Sequence, residues 1–569
     1  MNTDPKVFNT TTCETEMPML GAGHEWFDTM YRFSRPLLDS DSRIIPRKAR
    51  KLAAIACSNA EVFRKVHYEN KGDWPYPDPQ YVVPAGIHVS VLGLWVSEVF
   101  TPSMTSALVS ALRAWKWSNA SERRREEVLR VVLQNHSASQ EMMCVHLDNV
   151  ASIDVNTFAP EYSRGKLPEP FISVNLSLFR LEDSLTVVCA AFSIRETWTE
   201  KLDEAWHSNP HAVAHRKSGF SWEVSDRHSE LSKATRFIQD IMYDQACKWM
   251  YEYFRGAFAH SATRNPTIQL ALFDGAGADG LLSLENDYTK SSFRDVARLT
   301  YALGIDAYNK MTCPGFDKLE IRRRWHIFES DEPCENCYVL CGIANEAHEE
   351  YGQEMASVGS PDLFTYLSDT IEEILLKLTL LSYVDLSARQ YTTFRNSANV
   401  RFGRYSAKQV DEIRQFVLET SLDNREVLEV IERAIIHLEK KLPLCLEPTV
   451  ESGRENDEDE VVVLAAEKQS GRLYGQVKNK CDDIKRMDGE YRDAITDIVS
   501  LGTDRKALDV ARAANYIALV ALVLSIPTCS CGGGNTESSS SLAVAMLCKL
   551  LELLKPFFET ICQGHWPAS

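Results

Sequence analysis

Apolar positions along the first two thirds of the chain follow two rules in alternation. Ile87 to Val96 is dense in Val, Ile and Leu and predicts a buried strand. Ser103 to Trp117 then switches to helical spacing, with Leu108, Leu112 and Trp115 on one face and Thr101 and Ser103 as capping candidates. Glu126 to Gln134 predicts a further short helix. Two β-rich runs, Ile172–Arg180 and Ser184–Ile194, are separated only by Leu181, Glu182 and Asp183, the spacing of a hairpin. Ser229 to Gly256 predicts a long amphipathic helix, with Phe237, Ile238, Ile241, Met242, Trp249, Met250, Tyr253 and Phe254 along one broad face. Short strands recur at Thr267–Phe273, Trp325–Ser330 and Tyr338–Ile343. The expectation is an α+β domain over residues 81–350, its sheet buried under helices, preceded by a partly irregular extension over 1–80.

After Ser357 only the helical period remains. Leu363, Tyr366, Leu367, Ile371, Ile374, Leu375 and Leu378 mark one helix, and two more are expected near Ser406–Glu419 and Asn424–Lys441, giving an all-helical region over 358–446. An acidic linker follows over 447–460, containing Glu455, Asp457, Glu458, Asp459 and Glu460. Residues 461–569 then read as a long stalk helix, an apolar segment and an amphipathic C-terminal helix. Tyr474, Val477, Cys481, Ile484, Asp488, Tyr491, Ile495 and Ile498 recur at spacings of three and four. That stripe serves either a coiled-coil seam between copies of the chain, hence a homo-oligomer, or an ordinary helix bundle.

Between Arg512 and Gly532 lie the 19 residues Ala513 to Cys531, none formally charged, which is enough helix to reach across a hydrocarbon core. Arg505, Lys506 and Arg512 on the N-terminal flank place the body of the chain on the cytoplasmic side. Asn515, Ser525, Pro527 and Thr528 dilute the segment, so a buried core helix is the competing reading. Membrane association and a cytoplasmic, non-membrane protein are both open.

Composition narrows the classes. A net charge of −18 excludes a general nucleic-acid binder, which needs concentrated positive charge. The local runs Arg123–Arg125 and Arg322–Arg324 read as solvated faces. Fifteen cysteines are scattered singly, and Met1 to Met17 lacks the pattern of a secretory signal, so the thiols are expected reduced.

Candidate chemistry is sparse, and no catalytic residue stands out. Cys334, Cys337 and Cys341 place three thiols in eight residues, which suits a tetrahedral zinc, a redox pair or ordinary core thiols of a strand. Gly275, Gly277 and Gly280 match a dinucleotide fingerprint after a strand, but without a convincing following helix they read as a turn. His211 and His215 would share a face if helical. No nucleophile elbow, paired-histidine zinc helix or kinase loop set is present.

The C-terminal third, residues 359–562, resembles a degenerate CorA-type magnesium transporter. The resemblance rests on the long helix, on Pro527 and on Gly532, Gly533, Gly534 and Asn535 beyond it. It implies a cytoplasmic α/β body, a stalk and a membrane-proximal loop in which Gly534 and Asn535 would take the place of the ion-selecting signature. The chain departs from that signature by lacking Met before Asn535, by the short spacing from Pro527, and by the charges Lys549, Glu552, Lys555 and Glu559 in the second span. The resemblance therefore implies a membrane-associated or oligomeric protein with a sensing or interaction body that does not conduct ions. The alternative is a multi-domain cytosolic enzyme or regulatory scaffold.

Overall fold

A computed structural model describes residues 24–39, 46–71, 83–115, 119–133, 142–155, 162–182, 185–218, 221–282, 297–312, 317–324, 336–358, 362–399, 422–441, 445–446, 475 and 477–490. The chain divides into two compact units, Met1–Met487 and Asp488–Ser569. Nearly all described residues belong to the first.

Two helices, α1 (His24–Asp39) and α2 (Arg47–Lys71), form an antiparallel hairpin ahead of the sheet. Strand β1 (His88–Phe100) is followed by α3 (Thr105–Ala114), α4 (Asn119–Leu133), β2 (Met143–Ser152) and the short β3 (Ser163–Gly165). The expected hairpin forms as β4 (Phe171–Leu181) and β5 (Leu185–Ile194), with Leu181 registered on Leu185 and Glu182 in the left-handed region at φ 50°. Next come α5 (Glu196–His207), β6 (Val213–Ser218), β7 (Ser221–Ser225) and the long α6 (Arg227–Tyr253). The Asp226 carboxylate opens α6 by accepting the Ser229 N–H at 2.8 Å. The chain continues through α7 (Ala257–His260), β8 (Thr267–Asp274), α8 (Ala278–Leu282), β9 (Ile305–Thr312), β10 (Leu319–Arg324), β11 (Cys337–Ile343), α9 (Ala344–Val358), α10 (Leu363–Asn399), α11 (Leu422–Lys441) and β12 (Cys445–Leu446). A helix over 477–490, α12, ends the described chain.

Ten strands form one mixed sheet in the order β12-β9-β10-β11-β8-β1-β5-β4-β2-β3, while β6 and β7 pair separately. Neighbours are antiparallel except β8 with β11 and β2 with β3. Side chains alternate along the central β1, and each face is covered. Leu94, Val96 and Phe100 enter a core with Leu108, Val128, Trp198, Trp206 and Trp249, so α3, α4, α5 and α6 cover one face. Trp95 and Ser97 point the other way, where the Trp95 indole donates to Ser368 at 3.2 Å and Ser97 shares a hydrogen bond with Thr379. That second face belongs to α10. Over its 37 residues the stretch from Ile371 through Leu376 and Leu380 to Tyr391 is buried on several sides. Gly93 admits the helix closely, since a Cβ there would lie 2.4 Å from the Phe364 ring.

The α+β class holds, with the strands and helices of one body interleaved. One expectation, the solvated arginine run, is corrected, and other elements gain a definite place. Within the helical region over 358–446, α10 is the sheet's second cover, and β12 adds two residues of strand to its edge. Arg322 and Arg324 are not solvated: both are buried on β10, while Arg323 between them is exposed. Arg322 donates to the Leu282 and Asp306 carbonyls and pairs with Glu320 at 2.6 Å, and Arg324 pairs with Asp240 at 2.7 Å. A strand not expected from the sequence lies at Leu319–Arg324, and the strand expected at Trp325–Ser330 falls outside the described residues. Along α12, Val477, Cys481 and Ile484 are buried and the flanking Lys480 and Lys485 pair with Asp385 of α10 and Glu432 of α11. This part of the apolar stripe therefore faces helices of the same chain.

The acidic linker, the stalk beyond residue 490, Ala513–Cys531, Gly534 and Asn535 all lie outside the described residues. Among the described residues, no helix is long and apolar enough to cross a membrane. α10 has the length, but it carries Asp369, Glu372, Glu373, Lys377 and Asp385.

Candidate metal centre

Helix α5 follows β5 directly and lies on β1. Trp198, Leu202 and Trp206, at spacings of four, bury one stripe, and the Trp206 ring meets Phe273 edge-on at 5.8 Å. One residue past Leu202 and Trp206 come Asp203 and His207, also four apart and therefore on one face. Polar bonds pin this face to the strand. The Thr199 hydroxyl donates to the Val91 carbonyl at 2.9 Å, and the Val89 N–H donates to Asp203 Oδ1 at 2.8 Å. β1 begins at His88, just after a turn closed by the Ile87 N–H on the Pro84 carbonyl.

His88, Asp203 and His207 converge at this corner, each offering a ligand atom within 4.8 Å of the others. His88 Nδ1 lies 2.8 Å from Asp203 Oδ2. His207 Nδ1 lies 2.8 Å from the Asp203 backbone carbonyl and 3.5 Å from Oδ1. Since a carbonyl only accepts, His207 donates from Nδ1 and keeps its lone pair on Nε2. That atom is buried and has no hydrogen-bond partner. An Nδ1–H held by a main-chain carbonyl is also how proteins fix a ligating imidazole. The two rings lie 5.3 Å apart, and His88 is exposed, so one side of the cluster faces solvent.

The glycine turn lies at the same corner. β1 and β8 pair so that His88 stands opposite Asp274, the last residue before Gly275. Gly275 adopts φ 104° and packs on the chain ahead of His88, where a Cβ would lie 1.6 Å from the Gly86 carbonyl oxygen. Gly277, at φ 94°, follows, and Gly280 falls inside the five-residue α8. The turn thus acts as a close-packing device beneath the cluster, in keeping with its reading as a turn.

The cysteine cluster is not brought together. Cys337 and Cys341 lie four apart on β11, about 13 Å at strand spacing, whereas two thiolates on one zinc lie within about 4 Å of each other. Both are buried, and burial pushes the Cys341 thiol up to about 12, so it stays protonated. Cys334 lies outside the described residues. These two thiols belong to the core of the sheet. His211 precedes β6 and His215 lies within it, so an extended chain, not a helix, separates them.

Sequence reasoning passed over Asp203 because no helix was expected at 196–207. The signal was Trp198, Leu202 and Trp206 at spacings of four, which would have placed Asp203 and His207 on one face. Nothing local announces His88, which joins them only through the packing of α5 on β1. No protein-family model matches the chain, and neither does any curated protein.

Proposed function

We propose that the sheet body binds a divalent transition-metal ion, zinc in the first instance, through His88, Asp203 and His207. The convergence of two imidazoles and one carboxylate from two packed elements carries this reading. Two neutral nitrogens and one oxygen suit zinc and its first-row neighbours over magnesium or calcium, which take oxygen ligands. Three protein ligands leave coordination positions open on the exposed side, as in sites that bind water or substrate, whereas purely structural zinc sites are closed by four. Asp203 has a double task, because Val89 N–H already holds one of its oxygens and the ion would take the other.

The test is metal binding by the full chain after removal of metals by chelation. Dialysis against zinc, followed by elemental analysis, is expected to return about one equivalent. His88→Ala and His207→Ala are each expected to reduce it at least about tenfold, the scale of losing a metal-site contact. Less than about a tenth of an equivalent in the unmodified chain, or equal loading of the His88→Ala/His207→Ala variant, overturns the reading. The CorA-like resemblance of residues 359–562 is a separate proposal. It fails if the full-length chain stays wholly in the high-speed supernatant without detergent.

A further inference from the structure

The start of α2 runs against the usual electrostatics of a helix. A helix N-terminus carries partial positive charge and favours acids. Here Arg47, Lys48, Arg50 and Lys51 fill four of the first five positions, and the first turn holds no acid. Arg32 and Arg35 lie on the last turns of α1, which end at the same connection. Among the described residues, 32–39 and 46–51 contain six bases (Arg32, Arg35, Arg47, Lys48, Arg50, Lys51) against one acid, Asp39, in a chain with 62 bases and 80 acids overall. Exposed positive charge at Arg32, Arg47, Lys48 and Lys51, gathered where the helix dipole already repels it, suits an external anion.

The same end of the hairpin exposes large apolar side chains. Phe33 is 73% exposed and Leu52 67%, with Leu37 and Ile55 also exposed. The buried positions of the hairpin are others: Ser34 on α1, and Ala53, Cys57 and Ala60 at spacings of three and four on α2. Apolar groups set among bases on a surface helix are the composition that partitions into the headgroup region of an anionic bilayer. The bases meet lipid phosphates and carboxylates, and the apolar groups enter the acyl boundary. A polynucleotide would meet the charge and stack on one ring, Phe33, but it would leave Leu37, Leu52 and Ile55 in water, since aliphatic side chains neither stack on bases nor contact phosphate.

We propose that the α1–α2 end of the chain docks on an anionic phospholipid surface. The proposal is independent of the metal centre and of Ala513–Cys531. It is tested by sedimenting the full chain with vesicles of phosphatidylcholine alone or mixed with phosphatidylserine. Binding is expected to the mixed vesicles only and to weaken with added salt. Two variants at exposed positions, Lys48→Glu/Lys51→Glu and Phe33→Ser/Leu52→Ser, are each expected to lower it about tenfold or more while circular dichroism is unchanged. Equal binding by the unmodified chain and both variants overturns the proposal and assigns any lipid binding to another segment. So does binding that ignores phosphatidylserine. A chain that binds duplex DNA but no vesicle overturns it in favour of a polyanion site.

Discussion

Glu98, on the central strand, accepts the backbone N–H of Phe258 at 2.9 Å and so ties β1 to the first turn of the buried α7. The same Oε1 accepts the Val99 N–H at 2.9 Å, while Oε2 accepts Ala259 N–H at 3.1 Å and the Asn265 amide at 3.0 Å. Burial pushes the carboxyl up to about 7 against the pull of these bonds. All four partners are N–H donors, so the site is built for an acceptor-only group. A proton on either oxygen would point at a donor.

Glu98→Gln is therefore expected to be costly although it is isosteric. An amide has one acceptor oxygen, and its NH₂ must face two of the four donors. The expected loss is about 2–4 kcal/mol. Urea unfolding at pH 8, where the native carboxylate is ionised, would read it as a lower midpoint with unchanged slope. A variant as stable as the unmodified chain would mean that the protonated acid is the folded form.

Glu372 on α10 is expected to behave in the opposite way. It is also buried, and burial pushes it up to about 8, but its partners are the Ser177 and Ser368 hydroxyls. Hydroxyls rotate to donate or accept, so a protonated carboxyl or an amide fits equally well. The folded value lies above the unfolded one, so the folded chain binds the proton more tightly. Stability from this group is full below about pH 4.5 and declines as pH rises toward 8. Glu372→Gln should remove that decline and raise stability at pH 8 by on the order of a few kcal/mol. Denaturation midpoints at pH 5 and pH 8 decide it, and a variant with the native slope would refute the assignment.

A third buried charge tests how α10 and α11 are held. The Lys377 ammonium is almost wholly buried and pairs with Glu439, itself only 16% exposed. Lys377→Met leaves that carboxylate buried without its cation and should cost about 3–5 kcal/mol. Replacing Glu439 with Met in the same background should recover most of the loss, because an apolar pair has no charge to desolvate. A double variant no better than the single one would show that packing, not charge, dominates there.

What the sequence disclosed follows from how local each signal is. The β4–β5 hairpin was legible because three residues separate two β-rich runs, and α6 because its apolar positions recur over many turns. Arg322 and Arg324 were misread because a run of arginines suggests solvent. On a strand, however, alternate members share a face, and here that face meets Asp306, Glu320 and Asp240. The place of α10 was hidden for a related reason. Apolar residues around its whole circumference mean burial on all sides, but Glu372 and Lys377 disguise the pattern, since their partners Ser177 and Glu439 are distant in sequence. The candidate metal centre divides in the same way. Asp203 and His207 share a helical spacing, whereas His88 arrives only through tertiary packing.

Gly275 connects that packing to the proposed metal site. At φ 104° an L side chain is strained, and a Cβ would press on the Gly86 carbonyl at 1.6 Å. Gly275→Ala must therefore push Gly86 and Ile87 away and with them the start of β1, where His88 stands opposite Asp274. The expected global cost is about 1–3 kcal/mol. Zinc binding should suffer more than stability does, because a displacement of about 1 Å is enough to spoil a coordination geometry. Zinc loading and the zinc-induced rise in Tm, measured on Gly275→Ala and Gly277→Ala together, separate the two effects. A Cβ at Gly277 meets nothing closer than Ile87 Cδ1 at 3.8 Å. Its substitution is therefore strained in backbone alone and should spare the site, whereas Gly275→Ala should lose zinc. Loss of zinc in both variants would mean that the turn's conformation, not its contact with Gly86, positions His88.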